Sequence, residues 1–194
     1  MTTANGQAGT SPLFLGDDLA LDFINSAYGV GDAHQDHFAD AKGMLAWFAA
    51  AGLPAVALSE PHLAGLHAAA VALRDHARDL VERRKAGERA DPAILNRLLA
   101  LGSAHRELAW PDGEAPTLRT VERADDPRAT LLPIAYAIAS LLATARFELV
   151  RQCESDICTL WFHDHTRSHH RRWCSQATCG NRMKVAAFRA RKRG

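Results

Sequence analysis

Cys153, Cys158, Cys174 and Cys179 are the only cysteines of the chain, and all lie close to its C-terminal end. They form two pairs of the pattern Cys-x4-Cys, separated by the segment Thr159 to Trp173. Two close pairs can each bend into a knuckle that holds two thiolates on one side of an ion, while the insert brings the knuckles together. Four thiolates complete the tetrahedron that Zn2+ prefers and leave no position for water or substrate, so such a site stabilises a fold rather than catalysing a reaction. Two disulfides or reduced core thiols fit the same residues, and His163, His165, His169 or His170 are alternative ligands. The paired spacing and a reducing compartment favour the four-thiolate site.

The residues around the pairs are basic. Ile157 to Phe162 is β-prone and Arg171-Arg172-Trp173 precedes the second pair, which predicts a hairpin with Asp164 to His170 at its tip. Four histidines and Arg167 crowd that region, either as a solvated loop or as phosphate contacts strengthened when the pH falls. After Gly180, Asn181 can cap a helix carrying Arg182, Lys184, Arg189, Arg191, Lys192 and Arg193. Arg182, Arg189 and Arg193 share one stripe, and Val185 and Phe188 lie on a neighbouring face.

The overall charge of +1 conceals a division, because positions 151–194 hold ten Lys/Arg against three Asp/Glu, a balance of +7, and positions 1–150 carry −6. A zinc ion on four thiolates leaves the tail at about +5. That split points to an anionic partner, with nucleic acid ahead of an acidic membrane surface. With 47% apolar and 23% charged residues, the 194-residue chain is in the globular class, with room for one substantial core and a small appendage. Met1 to Pro12 lacks Lys, Arg and any apolar run, so no secretory signal is read there and a cytoplasmic location is expected. Ala129 to Ala145 is free of charge throughout, but six alanines and Pro133 favour a core helix over a membrane span.

These residues must be positioned by a mainly helical body. We expect a disordered tail over 1–12, a helical domain with a few short strands over 13–150, and a zinc finger of hairpin and helix over 151–194, an α+β fold that is predominantly α. Alternating apolar residues from Leu13 to Phe23 predict short strands. Asp40 and Gly52 bracket a helix burying Met44, Leu45, Trp47 and Phe48; Ser59 and Gly87 bracket a longer one burying Leu63, Leu66, Ala70, Leu73, Ala77 and Leu80. Asp91-Pro92 opens a short helix to Leu101, Thr117 to Glu122 reads as a strand for pairing with the N-terminal ones, and a core helix runs from Asp126 or Arg128 to about Val150.

Arg171-Arg172-Trp173-Cys174, followed by Cys179-Gly180-Asn181-Arg182, resembles the bacterial CGNR zinc fingers. Leu19-Ala20-Leu21-Asp22-Phe23-Ile24-Asn25 is similar to the start of the ABATE domain that precedes this finger, and the two together cover nearly the whole chain. The resemblance implies a stress-induced transcription regulator, with the cysteines as ligands of Zn2+ and with Arg171, Arg172 and Arg182 as phosphate or base contacts. Lys184, Arg189 and Arg193 extend that surface. Gln176 stands where an apolar residue is expected in the family. Asp22 and Asn25 match the ABATE motif and either bind a ligand or organise backbone. A homodimer and a small-molecule inducer are expected partners of such a regulator. A zinc-shaped adaptor for an acidic protein is the competing class, and a sensing domain without DNA binding is another. No phosphate loop, zinc-protease motif or nucleophile elbow marks the chain ahead of the cysteines, so no enzyme is expected.

Overall fold

The computed structural model describes residues 11–54, 57–102, 104–109, 116–122 and 126–192. The expected tail over 1–12 lies almost wholly outside them. The described chain is predominantly helical, in the order α1 (Leu19–Ile24), β1 (Ala27–Tyr28), β2 (Gln35–Asp36), α2 (Ala41–Ala50), α3 (Glu60–Ala86), α4 (Ala93–Leu99), β3 (Ala104–Ala109), β4 (Thr117–Glu122), α5 (Leu132–Thr144), β5 (Val150–Gln152), β6 (Trp161–His163) and α6 (Asn181–Arg191). Its strands form three separate antiparallel pairs, β1–β2, β3–β4 and β5–β6.

Asp40 and Gly87 act as the helix caps expected of them. Asp40 accepts from the Gly43 amide at 2.7 Å to start α2, and Gly87 ends α3 with φ +77°, a conformation that costs glycine little. On α3 the buried positions Leu66, Ala70, Leu73, Ala77, Leu80 and Val81 recur at helical spacing. They meet Ile134, Ala135, Ile138 and Leu141 of α5 and an aromatic group of Phe23, Phe38, Trp47 and Phe48, whose neighbouring rings lie 5.6–6.1 Å apart. Pro127–Thr144 is long and apolar enough to cross a membrane by length and composition, but one face of α5 is committed to this core.

Three expectations change. Leu13 to Phe23 does not form strands: Leu19–Ile24 is a helix, capped by Asp18, which accepts from the Ala20 amide at 2.8 Å. Ala20, Leu21, Phe23 and Ile24 are all buried, so the alternation in sequence belongs to a helix with apolar residues nearly all round. The strand Thr117–Glu122 pairs with Ala104–Ala109 and not with N-terminal strands, the shorter loop being cheaper to close. The core helix stops at Thr144, after which a 3-10 turn over Phe147–Leu149 leads into β5.

Arg74 on α3 is buried and clamps the β1–β2 hairpin. It donates to both carboxylate oxygens of Asp36 at 2.6 and 3.0 Å and lies over the Phe38 ring at 5.1 Å. Burial works against the Asp36 carboxylate, yet the guanidinium and the Phe38 amide hold it below the usual range. One turn along, Arg78 donates to the carbonyls of Ile24 and Ala27 at 2.6 and 2.9 Å. The hairpin is thereby held against the C-terminal module, where the Gly29 amide donates to Thr159 Oγ1 at 3.0 Å.

Candidate metal centre and basic surface

The four cysteines converge. Each offers its Sγ, and all four sulfurs lie within 4.8 Å of one another. Cys158 and Cys174 are 3.8 Å apart and Cys174 and Cys179 3.6 Å, far beyond a disulfide bond. A regular tetrahedron with Zn–S bonds of about 2.3 Å has edges of about 3.8 Å, so the donor set fits a zinc-sized ion. Cys153, Cys174 and Cys179 are buried and Cys158 half-buried, which suits a closed structural site.

Local backbone produces this convergence. The Cys158 amide donates to Ser155 O at 3.0 Å in the first knuckle, and the Cys153 amide to Leu160 O at 2.9 Å. In the second, Ser175 caps a single π-helical turn over Gln176–Gly180, closed by the Gly180 amide on Ser175 O at 3.0 Å. The Glu154 amide donates to Arg172 O at 3.0 Å and joins the knuckles. Gln176, the departure from the expected apolar residue, folds its side chain over Gly180, where a Cβ would approach within 2.8 Å of it.

Four thiols this close cannot ionise independently. Cys158 is held down to about 5, chiefly by its hydrogen bond with Cys174. The Cys174 thiol is pushed far up by that bond and by burial, and burial with the Cys158 charge takes Cys179 up to about 11. A divalent cation removes the competition by stabilising all four thiolates together.

The expected hairpin differs from the observed one. β6 pairs with β5, which precedes the first cysteine, so the hairpin encloses the first knuckle and residues 164–170 form a separate loop. Asp164, which sequence reasoning passes over, organises that loop from a fully buried position. Its carboxylate accepts from Thr166 Oγ1 at 2.6 Å, the Thr166 amide at 3.0 Å and the Arg171 amide at 2.9 Å. Burial opposes ionisation, but these donors and Arg151 outweigh it and hold the carboxyl below its ordinary value. The Asp-x-Thr spacing of an Asx turn was the available signal. His163 and His165 pack ring to ring at 4.1 Å, and burial lowers the His163 pKa.

The candidate nucleic-acid contacts separate into two groups. Arg171 is engaged within the protein: Nε donates to Trp173 O at 3.0 Å, one terminal nitrogen bonds Leu15 O at 3.1 Å and Cys174 O, the other bonds Asp17, and the guanidinium lies 4.3 Å from the Phe162 ring centre. Its position is that of a staple between the N-terminal segment and the second knuckle. Arg172 is mostly exposed, stacked on Trp173 at 4.8 Å with Nε on Glu154 at 2.6 Å, and borders a cleft of about 490 Å³ with Thr166, Ser168, His170 and Gln176. Arg182, Lys184 and Arg189 are exposed on α6; Arg193 lies outside the described residues. Asn181 is the first residue of that helix and not its cap, the capping being done upstream by Ser175.

Asp22 and Asn25 tie backbone together. Asn25, only 1% exposed, accepts from the Trp161 amide at 2.8 Å and donates to Trp161 O at 2.7 Å, so its side chain mimics a strand on the free edge of β6. Gly16 continues that edge, accepting from the His163 amide at 2.8 Å, while its own amide donates to Asp22 Oδ1 at 2.7 Å. A Cβ on Gly16 would come within 2.8–3.0 Å of Leu21 and Asp22, so only glycine fits. Leu13 and Leu15 of the same segment pack with the module's own small core of Leu160, Phe162 and the cysteines.

Desolvation raises the Asp22 carboxyl to about 6, against the lowering effect of the Gly16 and Leu15 amides and with the help of Asp17 and Asp18. A carboxyl raised in the fold stabilises it most below the unfolded value, and that contribution is lost as the pH climbs through about 6. Asp22→Asn keeps the acceptor and removes the desolvated charge. The variant is expected to be about 1–2 kcal/mol more stable than wild type at pH 8 and equal to it at pH 3.5. Denaturant midpoints measured across that range check it, and an advantage independent of pH refutes the assignment.

Two family models match the chain in the order of the two units just described. The ABATE model, described as "Putative stress-induced transcription regulator", matches residues 17–145, and the CGNR zinc finger model matches residues 150–192. A search of the curated proteins found no match. The first match spans most of the chain and begins at the segment that ties α1 to the cysteine module, and the second contains all four cysteines; the chain belongs to the ABATE family and carries a CGNR zinc finger.

Proposed function

We propose that this protein is a zinc-dependent transcription regulator that binds DNA through its C-terminal module. Cys153, Cys158, Cys174 and Cys179 hold one Zn2+ whose role is structural: it fixes the two knuckles, and through them Arg172 and α6. The observation that carries the reading is the one-sided charge of this module. After Asp164 the chain contains no acidic residue, while Arg167, Arg172, Arg182, Lys184, Arg189, Arg191, Lys192 and Arg193 follow in addition to the engaged Arg171. Cations concentrated on one unit of a nearly neutral chain suit phosphates. A single 11-residue helix covers little of a binding site, and a homodimer would enlarge the contact to the size usual for specific sites. For a small-molecule inducer we assign the cleft of about 390 Å³ between the hairpin, α3 and the module, bordered by Tyr28, Asp36, Arg74, Gln152 and Thr159, because an occupant there touches both units.

Replacing Arg182, Arg189 and Arg193 by alanine is expected to weaken binding to random duplex while the zinc content stays at one per chain. Each lost phosphate contact reduces the slope of log K against log salt by about 0.9. A salt-titrated anisotropy measurement reads both quantities. Undiminished binding by the triple variant, or none by the wild type, favours the adaptor reading, in which the arginines meet an acidic protein.

A further inference from the structure

Helix α6 is unusual in this molecule because none of its residues is buried. Among the described elements it rests chiefly on the π-helical turn that precedes it, and Met183 alone reaches half-burial. Val185 and Phe188 stand 48% and 53% exposed. At about 100° per residue they lie roughly 160° and 140° around the helix from Met183, on the side away from the module. Apolar side chains left in water on a free helix face mark a contact surface.

The charges fit one occupant of that face. Arg182 and Arg189, seven positions apart, run along one side of the Val185–Phe188 stripe, and Lys184 and Arg191, also seven apart, run along the other. The stripe is thus bounded by two parallel rows of cations, with no acidic residue on the helix. Duplex DNA presents the complementary pattern: two rows of phosphates border a major groove about 12 Å wide, which admits a helix of about 10–12 Å diameter, whereas the minor groove of about 6 Å does not. The apolar partner on the groove floor is the C5 methyl group of thymine, which phenylalanine and small aliphatic side chains contact. Lys192, one turn beyond Phe188 and 5.2 Å from its ring, falls on the same face and closes the C-terminal end of the stripe with a further cation. An anionic membrane surface fits less well, since two side chains form too narrow an apolar face to enter the acyl boundary.

We propose that α6 enters the major groove of DNA with Val185 and Phe188 against thymine methyl groups and the flanking Arg/Lys rows on the two phosphate strands. This rests on the DNA-binding reading and names the element, the groove and the base feature recognised. The test uses the zinc-loaded full chain and alternating A·T duplexes of 20 base pairs containing either thymine or deoxyuridine, which lacks the methyl group. Wild type is expected to bind the thymine duplex about fourfold more tightly, the value of one buried methyl. The double variant Val185→Ala, Phe188→Ala, changed at two exposed sites with the charge untouched, should bind both duplexes equally. A second arm saturates the minor groove with a netropsin-type ligand and is expected to leave wild-type affinity unchanged. Equal affinity of the wild type for the two duplexes, or displacement by the minor-groove ligand, overturns the major-groove assignment while the DNA-binding reading stands. Absence of duplex binding, with or without binding to phosphatidylserine vesicles, overturns both.

Discussion

A strong chelator at neutral pH is expected to unfold residues 150–192 and, with them, the segment Leu13–Gly16 at the other end of the chain. Binding of a structural zinc ion to four thiolates is worth on the order of 10 kcal/mol, more than a unit of this size holds in its other interactions. Val150 and Trp161 are seated in the helical core, and the remaining apolar core of the unit is Leu160, Phe162 and the cysteines themselves, so loss of the ion leaves little else to bury. Leu13 and Leu15 pack on that small core, and Leu15 O accepts from Arg171, whose position depends on the second knuckle. Helices α3 and α5 belong to the other core and keep their packing. Hydrogen exchange followed by mass spectrometry, with zinc counted by elemental analysis, reads the outcome. The idea fails if the purified chain holds no metal, or if exchange in Val150–Gln152, Trp161–His163 and Leu13–Gly16 is the same before and after chelation.

The second large effect is expected from Asn25→Ala. The substitution strands the Trp161 amide and carbonyl, two buried backbone groups on the edge of β6, at a cost of about 2–5 kcal/mol. Because this edge is a main seam between α1 and the module, the wild type is expected to unfold in one transition and the variant in two, the module melting first. Asn25→Asp offers a sharper comparison: it keeps an acceptor for the Trp161 amide but sets a carboxylate oxygen against Trp161 O, and is expected to be at least as damaging as alanine. Denaturation followed by tryptophan fluorescence, with Trp161 and Trp173 in the module and Trp47 in the helical core, reads both transitions. If either variant loses less than about 0.5 kcal/mol, as surface substitutions do, the amide is not the tether described here.

Arg171 and Asp164 show why site residues were only half legible. In sequence, Arg171 and Arg172 are equivalent cations before a cysteine, and nothing local distinguishes them. In the fold, Arg171 faces the N-terminal segment, where Leu15 and Asp17 await it, and Arg172 faces solvent. Asp164 looked like a loop residue because burial of a carboxylate requires donors that only the closed loop assembles.

What the sequence determined by itself is what depends on local pattern. The cysteine spacing specifies two knuckles because each forms between one cysteine and the next. The limits of α2 and α3 follow from Asp40 and Gly87 acting on their own neighbours, and the basic balance of the tail is a count. What only the tertiary structure decided depends on partners far along the chain. Whether Leu19–Ile24 is helix or strand turned on burial against α3 and α5, since a short apolar run has no unique period. The meaning of Asp22 and Asn25 turned on Gly16 and on Trp161, the latter 136 positions away. Backbone groups on a strand edge must be satisfied by whatever packs there, and that neighbour is chosen by the fold as a whole, not by the residues beside it.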